Sequence, residues 1–212
     1  MKNTILMQIL LGLIILSCGK DNVDEGSTAR EGSLRGSKYL LVAGEPAEKN
    51  EEKIKGEAAI VFKEALGEIQ SDKRYTMVFS VEEGGSIRLV SHANETLESG
   101  VELNFTRQGA ELSLQTHVGS QQTSAKVLAG VSATKEIALV VEAHNSEDKT
   151  HILIWRNDNE AALDFSEHNA LFNSELDAPS PGNGKGKFWG FVLKQASLTE
   201  ASSSDVPHHH HH

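Results

Sequence analysis

The sequence predicts an all-β fold, an antiparallel sandwich of two sheets. Three observations carry that expectation. From Lys38 onward, short apolar runs alternate with polar residues at period 2, the repeat of a strand with one buried face. Glycine and Asn/Asp turn signals separate the runs. Almost no stretch carries the 3.6-residue repeat of an amphipathic helix.

Taken in order, Tyr39 to Ala43 is an apolar run bounded by Gly36 and Gly44, and reads as the first strand. Glu45 to Lys55 is charged, contains Pro46 and reads as a loop. Ala58 to Phe62 is the second strand, and its continuation, Lys63 to Ile69, suits either a helix or a turn. Tyr75, Met77, Phe79 and Val81 form one face of a third strand. Gly84-Gly85 then signals a hairpin, with Ile87 and Leu89 on the returning strand. Val101, Leu103 and Phe105 alternate next, and after a turn at Gln108-Gly109 so do Leu112 and Leu114. Ile137, Leu139 and Val141 lead through the polar turn Asn145 to Lys149 into His151–Trp155. Phe188 to Leu193 closes the pattern. That is about ten strands, more than the seven of a constant-type immunoglobulin sandwich.

The chain before Lys38 has a different character. Lys2 precedes an almost unbroken apolar run from Ile5 to Leu16, which ends at Ser17 and Cys18. The run is short of the ~20 residues a membrane span needs and reads as an export signal, residues 1–17. Residues 18–37 are rich in glycine, serine and charge, and read as a flexible tether leading to a domain at 38–200. Residues 201–212 read as a disordered polar tail, with His208 to His212 an expression tag or, as the alternative, a natural metal-binding tail.

The formal net charge of -10 argues against nucleic acid, which requires a basic face, and against electrostatic docking on anionic lipid. The single cysteine excludes an internal disulfide.

Ile15-Leu16-Ser17-Cys18 resembles the lipobox of bacterial lipoprotein precursors. The resemblance implies cleavage before Cys18, acylation of its thiol and attachment to a membrane through lipid. Gly19, rather than aspartate, after the cysteine implies sorting to the outer membrane, on its periplasmic or surface side. Two later segments resemble the laminin-G-like, concanavalin-A-like jelly rolls: Glu136–Glu142 with His151–Asp158, and the closing strand Gly186–Leu198. Jelly rolls of this kind host lectins, adhesion modules, glycosidases and structural domains, so the resemblance implies recognition of glycan or protein without choosing a ligand.

Candidate sites follow from residue chemistry. Trp155 and Trp189 lie beside apolar residues, the pattern of core packing, yet an aromatic at a strand end also suits the face of a sugar. Asn157 and Asp158 follow Trp155, and the turn-rich loop from Asp177 to Lys187 contains Asn183. These six residues, Trp155, Asn157, Asp158, Asp177, Asn183 and Trp189, are the expected ligand contacts. No cofactor is expected. Calcium is the alternative, since Asn157, Asp158, Asn159, Glu160 and Asp164 supply oxygen donors, though these residues also form turns for local reasons.

Glu175-Leu176-Asp177-Ala178-Pro179-Ser180 begins like the Glu-x-Asp-x-x-Glu strand of laminarinase-like glycosidases but ends in serine, and Pro179 is out of place in a central strand. The scattered His92, His117, His144, His151 and His168 show no metal-ligand spacing. Asn94-Glu95-Thr96 and Asn104-Phe105-Thr106 match the glycosylation pattern by chance in a bacterial chain. The expectation is therefore a lipid-anchored envelope protein that binds glycan or protein and is not an enzyme. A structural or assembly lipoprotein is the alternative, and a glycosidase comes third.

Overall fold

The computed structural model describes residues 30–63, 72–145, 148–158, 164–177 and 187–207. Thirteen strands account for most of them: β1 (Glu31–Leu34), β2 (Ser37–Ala43), β3 (Pro46–Lys49), β4 (Ile54–Phe62), β5 (Lys73–Ala93), β6 (Val101–Gln108), β7 (Glu111–Val118), β8 (Gln121–Gln122), β9 (Lys126–Val127), β10 (Ile137–Asn145), β11 (Thr150–Arg156), β12 (Phe172–Leu176) and β13 (Phe188–Asp205). Every pairing is antiparallel.

The architecture turns on two long strands, β5 with 21 residues and β13 with 18. They pair along most of their length, from Phe188 opposite Ala93 to Asp205 opposite Lys73. Tyr75 and Ser91 lie 16 residues apart on β5, a separation of roughly 50 Å in a straight strand. Yet their hydroxyls hydrogen-bond in the core. The strand therefore folds back over itself, and β13 follows.

This corrects the hairpin expected at Gly84-Gly85. The chain does reverse there, but into the opposite layer rather than into a neighbouring strand of one sheet. Glu82 to Gly85 bulge opposite a single β13 position, Gln195, where the register shifts between Lys194 and Ala196. Gly84 has φ of +75° and Gln195 of +50°. A Cβ on Gly85 would lie 2.5 Å from the Gln195 carbonyl oxygen. Gly56 on β4, at φ +112°, crosses the same corner, so three adjacent strands bend together.

Two layers result. The first holds the second half of β5 and the first half of β13, with β4 and β2 on one side and β6 and β7 on the other. The second holds the remaining halves of β5 and β13 with β10, β11 and β12. Their inner faces share one core: Phe79 packs on Phe105 at 5.6 Å, Tyr75 on Trp189 at 5.2 Å, and Phe62 stacks on Trp189 at 4.2 Å.

Three boundaries differ from the sequence expectation. Residues 31–37, assigned to the tether, form β1, a turn and the start of β2. Gly32 leaves room for the ring of Tyr39, which a Cβ would meet at 2.3 Å, and Leu34 is buried. The small residues that resemble a linker are the space an aromatic ring occupies. Pro46 opens β3 instead of a loop, at a strand's first residue, where no ladder amide is needed. Residues 201–205, assigned to the tail, continue β13 opposite Met77 to Lys73. The signal, Cys18, the stretch 64–69 and the histidine tail lie outside the described residues.

Candidate functional site

The described residues among the expected ligand contacts do not come together. Trp189 is in the shared core, stacked on Phe62, with 2 % of its surface exposed. Trp155 is equally buried on the outer side of the second layer. There Phe165 meets it edge-on at 5.3 Å, and its indole N–H donates to the Ser166 carbonyl (3.0 Å). Neither offers a face to a sugar, because both indole rings are buried. Asn157 and Asp158 lie at one end of β11, and Asp177 follows β12 at the opposite end, roughly 25–30 Å away along the strands. Asn183 lies outside the described residues.

The described calcium donors form no metal-binding group. Asp158 pairs with Arg156 at 3.4 Å. Asp164 holds a local turn, accepting from the Ser166 amide (3.0 Å) and the Asn169 side chain (2.7 Å). Asn159 and Glu160 lie outside the described residues, and no group of acidic, histidine or cysteine side chains suited to a metal occurs among the described ones. Glu175 of the glycosidase-like segment sits opposite His151 on β12 and pairs with Lys149 at 3.8 Å. Asp158 lines a cleft of about 220 Å³ with Gly130, Ser132, Lys135 and Arg156, which the Arg156 guanidinium partly closes by donating to Gly130 O (2.8 Å).

A charged cluster occupies the outer side of the second layer. Arg74 on β5 is directly across from Glu142 on β10 and donates to its carboxylate through Nε (2.8 Å). His144, two residues on, donates Nε2–H to the same carboxylate (2.7 Å) and faces Asp72 with Nδ1 (3.1 Å). With both ring nitrogens donating to carboxylates, the imidazole is held as the cation. Burial opposes this, but Asp72 and Glu142 outweigh it and raise the His144 pKa to about 9. Burial would likewise raise Glu142, and its bonds to His144 and Arg74 hold it below the ordinary value. The Arg74 guanidinium also covers the Phe165 ring at 3.9 Å. Every charge here has its partner inside the cluster.

The outer side of the first layer is open. A groove of about 360 Å³ crosses β13, β5, β6 and β7, with β8 at its edge. Register arranges its side chains in rows. Lys194 stands opposite Ser86, and next comes the row Val192, Arg88, Asn104, Gln115. The third row brings Glu102 opposite His117, and His117 opposite Gln122. Glu102 is the keystone. Its carboxylate accepts from Arg88 Nη1 (2.9 Å) and from His117 Nδ1 (2.6 Å), which fixes both side chains. Gln115 is held by donating to Thr123 O (3.2 Å). In the turn after β5 the Asn94 side chain accepts the Glu98 amide (2.8 Å), and Leu97 seats against Val90 and Gly190.

This arrangement presents fixed hydrogen-bond donors and acceptors on a rigid sheet, the type of surface that reads hydroxyl groups. Among the described residues that line it, no nucleophile is hydrogen-bonded to a base. Sequence reasoning missed it because each of its residues is merely the polar member of an alternating pair. The signal was nonetheless present: Arg88, Glu102, Asn104, Gln115 and His117 are larger and richer in hydrogen-bonding groups than a solvated strand face requires.

No protein-family model matches the chain, nor does any curated protein. Solved structures match the fold. The Ca²⁺-bound exoplasmic/lumenal domain of VIP36 superposes with a TM-score of 0.51 at 8% identity, covering 81% of this chain and 84% of that one. Its Ca²⁺/Man2-bound form gives 0.51 at 7% identity, with 82% of each chain covered. A carbohydrate-binding module, CBM66 from Bacillus subtilis, gives 0.47 at 14% identity, covering 78% of this chain and 94% of that one. With its antiparallel strand order, the VIP36 superpositions show the fold as a jelly-roll sandwich of the concanavalin-A-like type.

Proposed function

We propose that the domain binds saccharide in the groove across β13, β5, β6 and β7, and that acylated Cys18 presents it at a bacterial cell envelope. The carrying observation is the Arg88–Glu102–His117 lattice with Asn104 and Gln115 beside it, pre-ordered polar groups on an open surface. Ordering these side chains before a ligand arrives lowers the entropic cost of binding. The VIP36 domain bound to Man2 shows that a sandwich of this fold accommodates a saccharide. Recognition without turnover fits a groove that lacks a catalytic pair. The lipobox-like segment supports the anchor.

Binding of the full chain to an immobilised glycan panel tests the site. Each lost hydrogen bond is worth about 0.5–1.5 kcal/mol, so the double variant Asn104→Ala/Gln115→Ala is expected to bind its best saccharide roughly 10-fold to 100-fold more weakly. An unchanged affinity would remove the groove from the reading, and silence across the panel would remove saccharide binding. Fractionation of cells carrying Cys18→Ala tests the anchor: the variant is expected in the soluble fraction, and membrane retention would overturn attachment at Cys18.

A further inference from the structure

Charge in the groove is unlike charge on the rest of the protein. The chain carries a formal net charge of -10, yet the groove is lined by two cations, Arg88 and Lys194, against one carboxylate, Glu102. That carboxylate already accepts from both Arg88 and His117. Lys194 is exposed and makes no ion pair among the described residues. It is the diagonal neighbour of Arg88 across the β13–β5 ladder, Lys194 facing Ser86 while Val192 faces Arg88. Diagonal pairs on one face are separated by roughly 7–8 Å, wide enough for an anion to sit between an ammonium and a guanidinium. Arg88 is bonded to Glu102 through Nη1, which leaves other N–H groups of its fork for a ligand. The Ser86 hydroxyl lies beside the same spot.

A second observation concerns what is missing from the floor. No Trp, Tyr or Phe is among the described residues that line the groove, and Val192 is its one aliphatic side chain. A neutral sugar gains much of its affinity by stacking on an aromatic ring. This groove has to obtain affinity from hydrogen bonds and charge, and charge-assisted bonds are roughly twice as strong as neutral ones.

Resting on the saccharide reading above, we propose that the groove selects saccharides bearing an anionic substituent, a carboxylate or a sulfate ester, seated between Lys194 and Arg88. The acidic remainder of the protein disfavours indiscriminate capture of polyanions. Screening confines the local cationic field to a Debye length of ~8 Å at physiological salt, so the anion has to be placed by the sugar's hydroxyl contacts with the Asn104 and Gln115 row.

Titration calorimetry on the full chain decides this with four probes: tetragalacturonate, its carboxyl-reduced neutral counterpart, a sulfated galactose tetrasaccharide and a hexaglutamate peptide. At 50 mM salt (about 14 Å of screening length by the same dependence) the better anionic saccharide is expected to bind at least 10-fold more tightly than the neutral one. The margin should shrink as salt rises. Lys194→Glu is expected to erase the margin, whereas Lys135→Glu, an exposed lysine outside the groove, preserves it. Comparison of the two anionic arms assigns carboxylate or sulfate. Equal binding of the neutral counterpart, or an unchanged margin in Lys194→Glu, would overturn anion selection and leave the saccharide reading standing. Hexaglutamate binding as tightly as the saccharides would overturn it in favour of a peptide site. Failure of every saccharide would remove the saccharide reading itself.

Discussion

The two outer faces of the sandwich each bring together an arginine, a glutamate and a histidine, with different results. On the second layer Arg74, Glu142 and His144 have side-chain exposures of 20%, 5% and 28%. Asp72 completes the cluster and Phe165 lies over it. On the first layer Arg88, Glu102 and His117 have exposures of 38%, 16% and 42%, and nothing among the described residues lies over them. Identical chemistry becomes a clamp between strands where it is covered, and a solvent-accessible polar lattice where it is left open. Cover decides because a carboxylate shielded from water interacts far more strongly with its partners than one near solvent.

The largest effect that sharpens the contrast comes from removing each glutamate. Glu142→Ala strands Arg74 in a covered site, leaves His144 with Asp72 alone, and is expected to cost about 3 kcal/mol of stability. Glu102→Ala should cost less than about 1 kcal/mol while abolishing the groove's lattice. Urea unfolding of both variants measures the difference, and equal costs would break the comparison.

A smaller effect is pH-dependent. His144 is raised from 6.5 to about 9, so its contribution is complete below pH 6.5 and is lost as pH climbs through 9. Glu142 is lowered, so its contribution is present above pH 4.5 and fades as pH falls through the folded value. Stability attributable to the cluster therefore peaks between about pH 4.5 and 6.5. It should decline by on the order of 2 kcal/mol toward pH 9. His144→Gln should flatten that decline, and a decline of the same size in the variant would assign it elsewhere.

The smallest effect is expected from Phe165→Ala. It uncovers Trp155 and Arg74, at a cost of about 1 kcal/mol of stability, and should leave the groove's affinity for saccharide as it was. Thermal melts and the panel assay read the two quantities separately.

What could be read from the residues alone followed from locality. The alternation from Tyr75 to Leu89 correctly placed the odd-numbered side chains in the core on both sides of the corner, because Val81 to Gly85 is an even step. The corner itself was misread, since a Gly-Gly pair permits a turn without specifying which layer the chain enters. Residues 31–37 and 201–205 were misread for a related reason: Gly32 and the serines after Ala201 look unstructured until Tyr39 and β5 are placed beside them. The groove was illegible because register, not composition, sets Lys194 near Arg88 and Glu102 opposite His117. Both tryptophans, conspicuous in a list of residues, are hidden by elements that no local pattern places over them.

The position of β13 at the centre of both layers bears on when the protein can exist at all. Its partners on β4 and β5 lie 95 to 144 residues earlier in the chain, so neither layer can close until Phe188 to Asp205 arrives. A polypeptide made amino end first stays open until β13 has been added, since non-local pairing waits for its most distant partner. The strand that completes the fold is therefore also the one that ends the open state.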